Sequence, residues 1–155
     1  TTVAVVERLD PARTVGIDML FEDGSTKRRV LATNPATRTD MRDAAHALFA
    51  RDGKAVSVIR DSGGFVTQRV VATIVNIASD ICQQRICSPQ DLETAVTLGL
   101  AYPMGPLAMG NRLGPDSLLE VLFNLQTVYG DPRYRPSPWL RRRGAIGLSL
   151  MHTEE

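Results

Sequence analysis

The sequence predicts a mostly α-helical protein in which a small α/β unit is followed by a helical domain. Before residue 60, short β-branched runs alternate with turn residues, which is typical of strands. From Gly64 onward, apolar residues recur at three- and four-residue spacing, and later segments begin with proline after serine or glycine. We expect functional residues where the two parts meet, at residues 61–69.

The first part reads as the end of an open α/β sheet. Strands are predicted over 14–20, 28–33 and 55–59, and a helix over 40–51. Turn residues at 22–25 separate the first two strands, Thr39 is a candidate helix cap, and Gly53 ends the helix. The order β–β–α–β is that of the final part of a sheet and not of a whole domain.

The second part is predicted to be entirely helical. Helices are expected from Gly64 onward, over 89–98, 115–128 and 139–146. Ser88 precedes Pro89 and Ser137 precedes Pro138, which places a capping side chain and a first-turn proline at two of these starts. Residues 102–106 contain two prolines and a glycine, so they form a rigid turn between helices.

The first of these helices carries a spaced apolar series, formed by Val66, Val70, Ile74, Ile77 and Ile81. Their spacing places them on one helical face. Because amphipathic helices usually pack their own domain, we expect this face to lie in the core. The alternative is a surface for a partner subunit.

Charge and composition exclude several classes of protein. The net charge of +1, with 23% charged residues, gives no general attraction for nucleic acid or an anionic membrane. No apolar run approaches the ~20 residues that span a bilayer, and no signal pattern opens the chain. We therefore predict a cytoplasmic protein that binds neither nucleic acid nor membrane. The absence of a starting Met suggests a piece of a longer chain.

Local groups of reactive or charged residues have ordinary structural interpretations. Cys82 and Cys87 match no metal or redox spacing and are predicted to be packed thiols, so no metal site is expected. An arginine-rich end, with two interleaved aromatic residues, is predicted to be a solvated surface. The alternatives are contacts with nucleic acid or with coenzyme A phosphates. The residues of this end are Arg133, Tyr134, Arg135, Trp139, Arg141, Arg142 and Arg143.

No local catalytic or nucleotide-binding motif is present. The sequence contains neither G-x-G-x-x-G after a strand nor G-x-x-x-x-G-K-[ST], so the chain by itself is not expected to bind a dinucleotide. Its two histidines, His46 within a helix and His152 in the tail, have no spacing that suggests a triad.

Three segments in order resemble one enzyme family. Asp61-Ser-Gly-Gly-Phe-Val-Thr-Gln-Arg69 is similar to the Asp-Ser-Pro-Gly-Phe-Val-x-Asn-Arg segment of the 3-hydroxyacyl-CoA dehydrogenases. Ser88-Pro-Gln-Asp-Leu-Glu-Thr-Ala-Val-Thr-Leu-Gly99 resembles that family's Ser-x-x-Asp-Ile-Asp-x-Ala-x-x-x-Gly, and Tyr102-Pro-Met-Gly-Pro-Leu107 resembles its Pro-Met-Gly-Pro-Phe. Composition, spacing and order agree together, from about Thr14 to Leu150.

The resemblance implies the fold and a division into two domains. Residues 1–61 would be the C-terminal part of a Rossmann-like α/β unit, in degenerate form. Residues 62–155 would be the all-helical C-terminal dehydrogenase domain, which is 6-phosphogluconate dehydrogenase C-terminal-like. The parent activity would be NAD-dependent oxidation of (S)-3-hydroxyacyl-CoA to 3-oxoacyl-CoA, in β-oxidation or aromatic-acid breakdown.

The positions that carry the family's catalysis are changed in this chain. The family's histidine base, in a His-Phe-Phe-Asn-Pro segment, falls on Asp18, and its orienting glutamate falls on Ala32. Its asparagine falls on Gln68, which keeps an amide one methylene further out. A carboxylate is poorly matched to general-base work near neutrality, and alanine orients nothing. The resemblance therefore implies no catalytic residue here.

Our leading hypothesis is a degenerate second copy of the dehydrogenase module, inactive alone, whose parent binds NAD through a domain absent here. This portion would form a homodimer and help to shape an acyl-CoA groove. The groove candidates are Gly64, Phe65, Gln68, Tyr102, Pro103, Met104, Gly105 and Pro106. One alternative is a dimerisation or scaffold module without substrate contact. Another is a working enzyme in which Asp18 and Gln68 have new roles.

Overall fold

The computed structural model describes residues 1–20 and 26–154. The chain divides into two compact units: the first ends at Thr67 and the second begins at Gln68. The predicted mostly α-helical fold with a small α/β unit at its start is confirmed. The turn expected at residues 22–25 lies outside the described residues. Each unit is described below by itself.

The first unit contains the predicted β–β–α–β order. Its elements are helix α1 (Thr2–Val6), a 3-10 turn (Pro11–Arg13), strands β1 (Val15–Ile17) and β2 (Arg28–Thr33), helix α2 (Thr39–Ala50) and strand β3 (Ala55–Arg60). Strand β1 ends before the predicted residue 20. The reason is that the Asp18 carboxylate accepts a hydrogen bond from Leu20 N at 3.1 Å and turns the chain. Helix α1 was not predicted.

The three strands form one mixed sheet in the order β1-β2-β3. Strand β1 is antiparallel to β2, and β2 is parallel to β3 with α2 as the crossover. Arg29 lies on the α2 face, because its Nη1 donates to the Phe49 carbonyl of that helix at 2.7 Å. Alternation along the strands then places Leu31 and Thr33 on the same face, and Ala32 on the opposite one.

The second unit is helical. Helix α3 (Thr67–Gln83) leads into α4 (Pro89–Gly99), α5 (Pro106–Leu113), α6 (Pro115–Tyr129), a 3-10 turn (Pro132–Tyr134) and α7 (Pro138–Ala145). The two serine caps are confirmed: Ser88 Oγ accepts from Asp91 N at 3.1 Å, and Ser137 Oγ from Trp139 N at 3.3 Å. Gly130 closes α6 with a left-handed φ of 64°.

Two expectations about the helices were wrong. Helix α3 begins at Thr67 and not at Gly64, because Gly64 and Phe65 have φ angles of +70° and +47°. Helix α5 was not predicted at all, since Pro106 was interpreted only as part of a turn. Its start has a glycine at the cap position, Gly105, which supplies no capping side chain.

The predicted core face of α3 is also wrong. Val66, Val70 and Ile77 are exposed, and Ile74 and Ile81 are half-buried. The buried side is turned away from this series and consists of Val71, Ala72, Val75, Asn76, Ala78, Ser79 and Cys82. Small residues on the buried side permit close approach of neighbouring helices, whereas spacing alone could not tell the two sides apart.

The arginine-rich end is only partly the solvated surface that was predicted. Arg143 is fully buried, with its Cζ 3.2 Å from the centre of the Trp139 ring and its Nη2 donating to the His152 carbonyl at 2.8 Å. Burial lowers the pKa of the Arg143 guanidinium. The chain after α7 folds back here, since Trp139 Nε1 donates to the carbonyl of buried Leu150 at 3.0 Å.

The described residues include no helix that is both long and apolar enough to cross a membrane. The predicted cytoplasmic location is not tested by this finding and stays a prediction.

Candidate functional site

The sheet face opposite α2 carries two of the three positions to which the resemblance assigns catalysis. Ala32 pairs with Gly16 across β1 and β2, and Asp18 follows β1 with its backbone N donating to the Val30 carbonyl at 3.0 Å. Alternation places Asp18, Gly16 and Ala32 on this face. Asp18 and Ala32 therefore lie on one face of the sheet, Asp18 just after β1 and Ala32 within β2.

Phe65 covers part of this face. A Cβ built on Gly16 would lie 3.4 Å from Phe65 Cζ, so the phenyl ring packs directly over the glycine. Gly64 and Phe65 both have positive φ, which directs the chain from β3 back over the sheet before α3 begins. Both groove candidates therefore belong to the first unit, and the ring of Phe65 packs beside the Gly16–Ala32 pair.

The turn between β2 and α2 does not fit a dinucleotide. In a Rossmann unit the backbone N–H groups of such a turn hold the pyrophosphate. Here Asn34 N donates to Thr37 Oγ1 at 2.9 Å, Ala36 N to Asn34 Oδ1 at 2.8 Å and Thr37 N to the Asn34 carbonyl at 3.1 Å. Arg38 N donates to the Ala12 carbonyl at 2.9 Å. These donors are all engaged within the first unit, so this turn offers no free backbone N–H group to a pyrophosphate.

The other groove candidates lie in the second unit. Gln68 is in the first turn of α3, half-buried, and Tyr102 and Met104 are half-buried in the connection between α4 and α5. Pro103 in the same connection is exposed. These side chains are available at the surface of their unit.

Gly105 and Pro106 have a different role, because they are buried at the start of α5 beside Glu93. The Glu93 carboxylate accepts hydrogen bonds from Leu107 N at 2.8 Å and Ala108 N at 3.2 Å. It thereby satisfies the free donors of a helix whose own cap residue has no side chain. A Cβ on Gly105 would lie 2.0 Å from Glu93 Oε2, so only glycine fits.

Glu93 was missed by the sequence interpretation. It occupies the second acidic position of the quoted Ser88–Gly99 segment, where the family pattern has aspartate. The available signal was a glycine-proline helix start with no capping side chain, preceded by an acidic residue on the previous helix. A buried carboxylate of this kind holds one helix to the next.

The two cysteines are free thiols, as predicted for packed residues. Cys82 is buried in α3 and Cys87 is half-buried after it. Burial raises the pKa of Cys82 to about 11, with a smaller contribution from Cys87. Among the described residues, no cluster of three or more His, Cys, Asp or Glu side chains is arranged to hold a metal ion.

Comparison with known proteins identifies the second part of the chain. A family model for the 3-hydroxyacyl-CoA dehydrogenase C-terminal domain matches residues 64–153. The 3-hydroxyadipyl-CoA dehydrogenase of Escherichia coli K12 is 44% identical over 115 residues, which are 74% of this chain and 24% of that protein. A probable 3-hydroxybutyryl-CoA dehydrogenase of Bacillus subtilis is 34% identical over 114 residues, 74% of this chain and 38% of that protein.

Solved structures agree with the sequence relatives. A 3-hydroxybutyryl-CoA dehydrogenase from E. coli K12 superposes with a TM-score of 0.82 and 36% identity, over 94% of this chain and 29% of that one. The (S)-3-hydroxybutyryl-CoA dehydrogenase PaaH1 from Ralstonia eutropha superposes with a TM-score of 0.80 and 28% identity, over 86% of this chain and 47% of that one. The chain spans less than half the length of each of these four proteins. This chain belongs to the 3-hydroxyacyl-CoA dehydrogenase family, and residues 64–153 match its C-terminal domain.

Proposed function

We propose that this chain is the assembly part of a 3-hydroxyacyl-CoA dehydrogenase, which oxidises (S)-3-hydroxyacyl-CoA to 3-oxoacyl-CoA with NAD. In this proposal the chain forms a homodimer through α3 and contributes surface to an acyl-CoA groove. Hydride transfer depends on residues that the chain itself does not carry. The observation that carries the proposal is the exposed apolar face of α3 in a domain that matches the family model.

Three features of the first unit support the proposed absence of catalysis in the isolated chain. Asp18 stands where the resemblance places a histidine base, and its carboxylate accepts from Leu20 N. Ala32 offers no carboxylate to orient a base, and the Phe65 ring covers the glycine beside it. The turn after β2 provides no cradle for a pyrophosphate. NAD is therefore assigned to a domain with the glycine-rich fingerprint.

The exposed side of α3 supports dimerisation. Val70 and Ile77 are 49% and 55% exposed although they lie seven residues apart on one helical face. Isolated exposed aliphatic residues are common, but a continuous stripe on a helix whose opposite side is buried is typical of an interface. Half-buried Ile74 and Ile81 continue the stripe toward the end of the helix.

A second copy of the chain fits this surface by charge. A groove of about 320 Å³ begins at Ile77 and Ile81 and continues between α3 and the 3-10 turn that starts at Pro132. It carries Asp80 on the helix side and Arg135 on the other, where Arg133 is already paired with Asp131, its Nε 2.8 Å from Oδ2. A two-fold axis through the stripe brings such a mixed-charge rim against its own copy, acid to base.

The acyl-CoA contribution is assigned to Tyr102, Pro103 and Met104. In the connection between α4 and α5, they are the groove candidates that remain at the surface after Gly105 and Pro106 are committed to the start of α5. An amphipathic ring and a flexible thioether suit an acyl or pantetheine chain. Glu93 holds this segment in place through its bonds to Leu107 N and Ala108 N.

The dimer is tested by the mass in solution, measured by light scattering across a concentration series. We expect a dimer for the natural sequence and a monomer for Ile77→Glu, since a charge in an apolar interface is left unpaired. Ile146→Glu is the matched control, because Ile146 is 73% exposed at the end of α7 and is not part of the stripe. A monomeric natural protein, or equal masses for both variants, would contradict the homodimer.

Ligand binding is tested separately by calorimetric titration with acetoacetyl-CoA and with NAD. We expect heat with the CoA ester, loss of that heat in Met104→Glu, and none with NAD. A dimer that binds neither ligand would instead favour an assembly module without substrate contact. Turnover by the isolated chain that disappears in Asp18→Asn would favour the remaining alternative, in which Asp18 has become a base.

A further inference from the structure

The first unit has a pocket of its own, on the α2 face of the sheet. Its volume is about 530 Å³, within the range of small-molecule sites. The side chains that line it include Thr33, Arg42, Asp43, His46, Val58 and Arg60. Neither the family positions nor the groove candidates contribute to it.

The pocket is at the carboxyl ends of the parallel strands. Thr33 and Arg60 are the last residues of β2 and β3 and pair with each other in the register. Arg42 and His46 are one turn apart on α2 and line the pocket opposite this pair of strand residues. Open α/β sheets bind ligands in the crevice outside the carboxyl ends of their strands, so this is the expected side for a ligand.

The charge of the pocket favours an anion. Asp43 is paired with Arg42, whose Nε and Nη2 both lie 2.8 Å from Asp43 Oδ1, and the two charges offset each other. The guanidinium of Arg60 and the imidazole of His46 make no hydrogen bond or ion pair with any described residue. Arg42 Nη1 is also uncommitted among the described contacts. These donors can converge on one multiply charged oxygen group.

The pocket also has an apolar side. Val58 lies on the same strand face as Arg60, two residues before it, and lines the wall toward α2. A bare anion would leave this wall in water. A ligand with a phosphate at one end and an apolar or aromatic body at the other would cover both.

We propose that this pocket binds a phosphorylated small molecule of mononucleotide size. Arg60 and His46, with Nη1 of Arg42, hold its phosphate, and Val58 packs against its apolar body. Recognition uses side chains only, because the N–H groups of the neighbouring turn are occupied by Asn34 and Thr37. The site is independent of the proposed dimer and acyl-CoA groove.

The test is a titration of the ¹⁵N-labelled chain, followed by backbone amide shifts, with adenosine 5′-monophosphate, adenosine and inorganic phosphate. We expect shifts at β2, β3 and α2 with the nucleotide, and affinity about tenfold weaker for adenosine and for Arg60→Gln, the size of a charge-assisted hydrogen bond. Arg13→Gln is the control, since Arg13 is exposed in the same unit outside the pocket. Added salt should weaken binding of the nucleotide but not of adenosine.

Three outcomes would overturn the proposal. They are no shift with either phosphate-bearing probe, equal affinities for the nucleotide and adenosine, and equal losses in Arg60→Gln and Arg13→Gln. Inorganic phosphate that binds as tightly as the nucleotide would overturn the assignment of Val58 to an apolar body. The amide spectrum of each variant reports directly whether the first unit is still folded.

Discussion

In the second unit, apolar side chains from α3 through α7 and from the returning tail meet in one core. In the described part of the first unit, the buried apolar side chains are those of Ala4 and Leu31. The first unit depends more on polar contacts, such as the Arg29 bonds to Phe49 and Asp52. A packed core restricts change at many positions, but a hydrogen-bonded sheet leaves surface side chains free to vary. Asp18 and Ala32, the positions to which the resemblance assigns catalysis, lie in the loosely packed unit.

The largest expected effect comes from deleting core volume in the second unit. Leu122 is fully buried in α6, so Leu122→Ala should lower the free energy of unfolding by about 3 kcal/mol. Leu48 is 57% exposed on α2, and Leu48→Ala should change the free energy of unfolding by less than about 0.5 kcal/mol. Urea unfolding followed by the fluorescence of Trp139, the single tryptophan, reports the second unit, and amide hydrogen exchange in α2 reports the first. Equal losses in the two variants would remove the contrast between the units.

The next effect concerns the buried cap of α5. Gly105→Ala places a methyl group against the Glu93 carboxylate and should cost about 2 kcal/mol, since two bonds to a charged acceptor are disturbed. Gly99→Ala is the matched control, because nothing lies within 4 Å of a Cβ there. In the double variant Glu93→Ala, Gly105→Ala the two losses should not add, because the clash disappears with the carboxylate. Additive losses measured in urea would contradict the cap.

A smaller effect should appear at high pH. The folded-state pKa of Cys82 is about 11, above the ordinary thiol value of 9.0, so the neutral thiol is favoured by folding. The contribution of this thiol to the free energy of unfolding is fully present below pH 9 and is lost as the pH rises through 11. The urea midpoint should therefore fall over this interval, and fall less in Cys82→Ala. Cys87→Ala, at the half-buried thiol, is the control and should retain most of the slope, because Cys87 makes only the smaller contribution to the raised pKa of Cys82.

Local chemistry in the sequence predicted most of the elements but not the sides that they bury. Ser88 and Ser137 correctly predicted the starts of their helices, because a cap and a first-turn proline act within a few residues. The buried side of α3 depends on which neighbours pack against it, so the spacing of Val70 and Ile77 indicated a face without its direction. Helix α1 is rich in β-branched residues and has little local helical signal.

The candidate site shows the same limit. The resemblance named Asp18 and Ala32 as family positions but gave no geometry for them, and the pairing of β1 with β2 places both on one sheet face. The cap made by Glu93 joins residues more than ten positions apart, and the pocket around Arg60 joins β3 to α2. No fixed spacing of residues in the sequence indicates either arrangement. Both come from packing, which a single sequence does not reveal.

The smallest expected effect tests how loosely the first unit is packed. A Cβ on Gly16 would lie 3.4 Å from Phe65 Cζ and 3.8 Å from the Ala32 carbonyl, which are ordinary contact distances. Gly16→Ala should therefore change the stability of the sheet by less than about 0.5 kcal/mol, since the added methyl also restricts the unfolded chain. Amide hydrogen exchange in β1 and β2 measures this locally.

Gly53→Ala supplies the contrast within the same unit. Gly53 has a φ of +80°, so alanine there should cost about 1 kcal/mol through backbone strain although nothing crowds its side chain. If Gly16→Ala costs as much as Gly53→Ala, the Phe65 ring is held rigidly and cannot move aside by a few tenths of an ångström. The face that carries Asp18 and Ala32 would then be as closely packed as the helical core, and the contrast in packing between the two units would not extend to this face.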